Sequence, residues 1–467
     1  MCTVTTVCQI WHKKMDNDDK RGYDMKDLTK GSVLKLIIGF AIPIGLGNVF
    51  QLLYSLADTR IVGSFLGDDI LAAVGATNSL NSMIIGFLIG MTNGFSIIIA
   101  RRFGEKKEEE LKKAVAAALE LGILVSVVFT IISVVCLPQI LRLLNTPEEL
   151  MPYSYTYFRV ILFGMTAAML YNAVSGILRA IGDAVTPLCF LAGSTVCNVV
   201  LDILMIKAFH QGVFGAAIAT VISQSLSFVL CFIYMWVRYP LLRLEKKHFS
   251  ISGKLFKEMF EIGCSMGVMV SFVNIGSVAL QMAINTFGDS VIVAHTAARK
   301  ISDFFMMPFV VFGVAMATFC GQNLGAGKID RIKKGLKQVL FVTWGWCGLV
   351  LLMAYTIAPL FIQAVTGTSD MVTIETGALY LRFNTILYFV CAVIIVLRNA
   401  MQGIGDSITP IISSFLELAT KVLVAILLAP KLGYWAIIIS EPVSWVIMVI
   451  PLLVQIKRNP LLKEENN

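Results

Sequence analysis

Four residues with oxygen-bearing side chains interrupt apolar runs of this chain: Asp58, Asn198, Asp202 and Thr220. Asp58 ends a stripe with Asn48, Gln51 and Ser55 at spacings of 3, 4 and 3, which is one face of a helix. Asn198 and Asp202 are four apart and share a helical face, and Thr220 precedes Gln224 by one turn. Hard oxygen ligands of this kind suit a small cation such as Na+ at Asp58, Asn198, Asp202 and Thr220. Two carboxyl groups brought close in a low dielectric can instead hold a proton between them. Either chemistry can couple the entry of an ion to the exit of another solute. The competing reading is a polar cluster that pins helices together.

The elements that must position these residues follow from composition. The chain has 467 residues, 57% of them apolar and 15% charged, with a mean hydropathy of +0.80. Soluble domains run near 45–50% apolar and about 25% charged, so the pattern is that of an all-α polytopic membrane protein. A membrane β-barrel would show short alternating segments of about 10 residues, whereas this chain has long unbroken apolar runs. A spanning helix takes about 20 residues. Twelve are expected, at roughly 34–61, 70–99, 114–137, 157–178, 188–208, 213–237, 258–286, 291–319, 338–364, 377–397, 409–429 and 434–456. Pro43 is expected to bend the first. The ten cysteines form no CxxC pair; Cys136, Cys189, Cys231, Cys347 and Cys391 lie in apolar runs and read as small buried hydrophobes.

The net charge of +8 reflects loops rather than nucleic acid. Of the 38 Lys and Arg, 29 fall in the tails and one set of loops and only 4 in the opposite set. This places both termini in the cytoplasm. With that topology Asp58, Asp202 and Thr220 share one depth, about 10 Å below the outer surface at 1.5 Å per residue.

An internal repeat organises the spans. Ile181-Gly182-Asp183-Ala184-Val185-Thr186-Pro187 recurs as Ile404-Gly405-Asp406-Ser407-Ile408-Thr409-Pro410, shifted by 223. Phe65-Leu66-Gly67-Asp68 matches Thr286-Phe287-Gly288-Asp289 at a shift of 221, as Gly104, Lys107, Lys112 and Lys113 match Gly325, Lys328, Lys333 and Lys334. Two parallel six-helix bundles follow: a tail over 1–33, a first lobe over 34–237, a basic cytoplasmic linker over 238–257, a second lobe over 258–456 and a tail over 457–467. Repeated bundles of this kind rock around a central substrate path. Asp58 corresponds to Ala279, Asn198 to Lys421 and Asp202 to Ala425, so the acidic site belongs to the first half alone.

Other intramembrane groups are ambiguous between function and structure. Glu417 and Lys421 are spaced as a helical ion pair, with Glu417 also a candidate substrate contact. Arg299, Lys300, Asp303 and Glu441 read the same way, and His295 reads as packing. Gln51, Tyr54, Met91, Met165, Tyr171 and Gln224 are candidates for an adaptable cavity around flat apolar cations.

Leu56-Ala57-Asp58-Thr59 with Gly67-Asp68, Leu178-Arg179-Ala180-Ile181-Gly182-Asp183 with Thr186-Pro187, and Gly321-Gln322-Asn323-Leu324-Gly325-Ala326-Gly327 give the sequence its resemblance to the multidrug and toxic compound extrusion (MATE) family. The resemblance covers the chain beyond residue 30. It implies a V-shaped pair of six-helix lobes and export of organic cations or amphiphilic drugs, driven by H+ or Na+ and without a cofactor. It also implies a cation site in the first lobe at Asp58, Asn198, Asp202 and Thr220. A helix 7 acid found in another branch has no counterpart in Met269-Val270-Ser271-Phe272-Val273-Asn274.

The expectation is therefore a monomeric multi-pass antiporter of the bacterial inner membrane, with the bilayer and its drugs as partners and no nucleic acid. Ion binding at Asp58 and Asp202 would alter packing near Pro43 and release substrate outward. A flippase for a lipid-linked oligosaccharide is the nearest alternative; it would need a strongly cationic cavity. A membrane-embedded enzyme would need HExxH or GxSxG, and the chain is read as lacking both.

Overall fold

A computed structural model of the chain describes residues 27–143, 146–249 and 253–461. The tail up to residue 26 and the end beyond 461 lie outside the described residues. Within them the chain is helical, because apolar side chains fill every face of the long segments and the helix satisfies its own backbone polar groups.

The helices are α1 (Val33–Leu66), α2 (Asp68–Gly104), α3 (Glu108–Leu143), α4 (Met151–Ala180), α5 (Val185–Ile203) and α6 (Gly212–Arg238). After two short 3-10 turns come α7 (Gly253–Ile284), α8 (Asp289–Gly325) and α9 (Ile329–Thr366). Next is α10, in two halves, α10a (Met371–Ile386) and α10b (Tyr388–Gly403). The last two long ones are α11 (Ile408–Leu423) and α12 (Tyr434–Arg458), with a single helical turn at Ala429–Leu432 between them. Among the described residues eleven helices are long and apolar enough to cross a membrane, and α10 makes a twelfth when its halves count as one span. The halves are bent by 57°. α1 continues as one helix through Pro43.

The repeat is visible in the backbone. Gly67 and Gly288 precede α2 and α8 at φ 86° and 89°, and Gly182 and Gly405 precede α5 and α11 at φ 93° and 94°. Only glycine takes this region without strain, which explains why these positions survive in both halves. Both α5 and α11 pass into a single π-helical stretch, at Leu204–Ala208 and Val424–Leu428.

The chain divides into two compact units, Gly39–Cys264 in one and Thr29–Ile38 with Ser265–Asn467 in the other. The first unit has a continuous core that includes Met91, Phe95, Phe158, Met165 and Met169. Its helices approach closely at small residues: Gly164 of α4 lies against Val221 of α6, and Gly94 of α2 against the backbone of Gly263 in α7. In the second unit Gly403 packs on the carbonyl of Ala317 in the same manner. Cys231, Cys320, Cys347 and Cys391 are buried as small hydrophobes and Cys136 is half-buried, whereas Cys189, also half-buried, departs from the expectation because it is disulfide-bonded.

Candidate functional site

In the first unit, α1, α5 and α6 bring the four predicted polar residues together. Asn198 and Asp202 are fully buried and Thr220 nearly so, while Asp58 is half-buried. The Asn198 amide bridges Asp202 and Thr220. Its nitrogen donates to Asp202 Oδ2 at 2.8 Å and its oxygen accepts the Thr220 N–H at 3.2 Å. This orientation satisfies both ends of the amide. Thr220 Oγ1 donates to the carbonyl of Ala216 at 3.2 Å. The carboxyl groups of Asp58 and Asp202 lie within hydrogen-bonding reach of each other. Asp202 Oδ1 is buried and meets no N–H or O–H donor among the described residues. Two facing carboxyl groups make a hydrogen bond only when one of them carries a proton.

A cleft lies on the same helices, with α2 and α4 completing its walls. Its polar lining includes Gln51, Tyr171, Ser194, Thr195, Ser223 and Gln224, and Ile85, Ile89, Ala168 and Leu191 supply apolar surface. No charged side chain lines it. Gln51 is seven residues from Asp58, Thr195 seven from Asp202 and Ser227 seven from Thr220, so each pair spans two turns. At 1.5 Å per residue the cleft lies about 10 Å along the helices from the carboxyl pair. Of the predicted cavity residues, Gln51, Tyr171 and Gln224 line it. Met91 and Met165 are each 1% exposed, in the core of the unit, and Glu417 belongs to the second unit. The side chain of Tyr54 lies outside the described residues. Ser194, Thr195, Ser223 and Ser227 were not singled out from sequence. Their signal is helical spacing, since Ser223 and Ser227 share a face with Thr220, and Thr195 shares one with Asn198 and Asp202.

The second unit carries a ladder of alternating charge, buried except at its Asp303–Arg299 end. Asp303 accepts from Arg299 Nε at 3.2 Å, Arg299 pairs with Glu441, and Lys421 Nζ lies 3.5 Å from Glu441 Oε1. Lys421 also donates to Glu417 Oε1 at 2.8 Å, and Arg398 lies 3.7 Å from Glu417 Oε2. Three acids and three bases thus alternate across α8, α10b, α11 and α12, with Arg299 shared between Asp303 and Glu441. Tyr380 adds a hydrogen bond to Glu441 Oε2 at 3.4 Å. His295 packs edge-on to Tyr380 and meets the Tyr434 hydroxyl at 3.2 Å.

The expectation that GxSxG is absent is overturned by the string itself, Gly263-Cys264-Ser265-Met266-Gly267. It is no nucleophile elbow, which needs a sharp strand-to-helix turn. Ser265 lies within α7, 3% exposed, with its hydroxyl donating to the carbonyl of Ser407 at 2.7 Å.

A twelve-span helical chain built from two repeated halves, with carboxyl groups inside one half and a polar cleft on the same helices, defines a polytopic membrane transporter. The sequence model of the MatE family matches residues 43–204 and again 266–427, two stretches that start 223 residues apart, and the chain belongs to this family. It is similar to the probable multidrug resistance protein YoeA of Bacillus subtilis, 28% identical over 432 residues that cover 90% of this chain and 93% of the relative. It is also similar to the probable multidrug resistance protein NorM of Thermotoga maritima, 24% identical over 83% of this chain and 84% of that one. Among solved structures, an outward-facing multidrug resistance MATE transporter superimposes with a TM-score of 0.86 at 24% identity, over 95% of this chain and all of the other. The chain is thus a multi-pass membrane transporter of the MATE family and not an enzyme.

Proposed function

We propose that this transporter exports apolar organic cations from the bacterial cytoplasm, each exchanged for a proton that enters through the Asp58–Asp202 pair. The reading places it in the cell membrane with both termini in the cytoplasm, on the strength of the loop charge asymmetry. One observation carries the choice of ion: Asp202 Oδ1 is buried without a donor among the described residues, and the Asp202 carboxyl lies within hydrogen-bonding reach of that of Asp58. A shared proton completes that pair. Loss of the proton sets two negative charges against each other on α1 and α5, and gain of one draws the helices together. Because the cleft lies two turns away on the same helices, that change reaches its walls.

The test is efflux of ethidium from liposomes containing the purified protein, under a pH gradient and a Na+ gradient imposed separately. Efflux is expected under the pH gradient alone and should be lost in Asp58→Asn. Efflux driven only by Na+ would overturn the ion assignment. No efflux under either gradient would return weight to a lipid-linked substrate.

A further inference from the structure

We propose that Lys300 and Asp303 on α8 receive the two ends of a zwitterionic substrate, so that the transporter prefers molecules carrying both an anionic group and a cationic centre. The inference deepens the export reading and rests on it. Lys300 and Asp303 are three residues apart, so they are neighbours on one helical face. Both are exposed, the Asp303 side chain to 61%. They have opposite charges, yet neither is the other's partner. Asp303 pairs with Arg299, which is held at the same time by Glu441, so its charge is only partly answered. Lys300 makes no ion pair among the described residues.

Their surroundings are apolar. Lys300 and Asp303 stand 11 and 14 residues into α8, about 16 and 21 Å from its first residue. Val293, Phe304 and Val310, at 45%, 56% and 46% exposure, flank them. Charged groups within a span face a watery path or a ligand rather than lipid. A carboxylate or phosphate suits the Lys300 ammonium, and an ammonium suits Asp303. A guest with only a positive charge meets Asp303 but is repelled by Lys300, which makes the lysine a selectivity element as well as a contact.

The experiment compares rhodamine B, a zwitterion at neutral pH, with its ethyl ester, a cation of almost the same shape. Efflux of each is measured from phosphatidylglycerol vesicles containing the whole protein, so that no lipid offers the same pair of charges. The wild type should favour rhodamine B. Lys300→Gln should lower the ratio of rhodamine B to ester efflux by about tenfold, the scale of one charge-assisted contact. Lys300→Arg should restore most of the ratio, which a merely structural role for the lysine would not predict. Asp303→Asn should slow both dyes, since both carry the cationic centre. A ratio unchanged in Lys300→Gln, with ethidium export intact, would overturn this inference and leave the export reading standing. A wild-type preference that disappears when phosphatidylethanolamine is added would overturn it too, by giving the site to a lipid headgroup. Absence of efflux of both dyes and of ethidium in the wild type would overturn the export reading with it.

Discussion

Corresponding places in the two halves hold opposite solutions to the same burial problem. Gly212 and Gly433 open α6 and α12 at φ 55° and 58°, 221 residues apart, and that offset carries Thr220 onto Glu441. Asp58, Asn198, Asp202 and Thr220 therefore become Ala279, Lys421, Ala425 and Glu441. Where the first half joins Asn198 to Thr220 by an amide, the second joins Lys421 to Glu441 by charge, 3.5 Å apart. The first half leaves a buried carboxyl oxygen without a donor; the second supplies each acid of its ladder with at least one base. The Lys421 ammonium, covalently fixed, stands where the first half has the neutral amide of Asn198. A site that must load and unload an ion cannot also be neutralised by its own side chains.

The largest effect should come from breaking the neutralised site on one side. Glu441→Ala leaves Arg299 and Lys421 without their shared acid, and single removals from buried pairs cost about 3–5 kcal/mol. Replacing the buried pair together, as Lys421→Met with Glu417→Met, should cost much less than the sum of the two single changes. Thermal unfolding in detergent measures both. Additive single and double variants would show that these charges act independently and would undo the contrast.

The open site should respond in the reverse sense. Asp202→Asn removes one of two facing carboxyl groups and supplies a donor toward Asp58. Proton-driven efflux is expected to fall at least about a hundredfold, about 2.7 kcal/mol at 1.36 kcal/mol per decade, with the melting temperature held or raised. A variant that unfolds early while the residual folded protein still pumps would make the first site structural.

Much of this contrast is legible in the amino-acid sequence. Polar residues in apolar runs marked all four members of the first site, and paired glycines marked the repeat, because a left-handed turn tolerates little else. Glu417 with Lys421 was legible too, since four residues on one helix are neighbours. The rest was not. Arg299 and Glu441 are 142 residues apart, and their pairing depends on how α8 packs on α12. The Thr220–Glu441 correspondence was hidden because the offset slips from 223 to 221 between α11 and α12, where the second half has two residues fewer. The break in α10 falls at Leu387, between Ile386 and Tyr388, with neither Pro nor Gly to announce it. Met91 and Met165 were read as cavity candidates by residue type; their helix faces instead pack into the core.

Packing offers a smaller test of how far the two halves have diverged. Gly94 corresponds to Ala315 at the shift of 221, so one half tolerates a methyl group where the other has none. A Cβ at Gly94 would come within 2.6 Å of the Gly263 Cα, and backbone cannot step aside as a side chain can. Gly94→Ala should therefore destabilise by about 2–3 kcal/mol. Gly348→Ala, which meets nothing within 4 Å, should leave stability unchanged or raised. Equal melting temperatures for the two variants would remove the close approach from the account of the first unit.

The smallest expected difference lies at the starts of α4 and α10, one in each half. Leu150, at the N-cap position of α4, offers no side-chain cap, whereas Asp370 caps α10a through the amides of Val372 and Thr373, at 3.2 and 3.0 Å, and the Thr373 hydroxyl, at 2.6 Å. The Thr373 hydroxyl first, and then the two amides, hold the Asp370 carboxyl below its usual value of 3.8. A group whose folded value is depressed contributes stability that is complete above its unfolded value and lost as pH falls through the folded one. The cap should thus act fully at neutral pH and weaken only below about pH 4. Asp370→Ala is expected to lower the melting temperature slightly at pH 7, with the gap to wild type closing on acidification. A gap that stays constant down to pH 3 would mean that the side chain acts by packing rather than by charge.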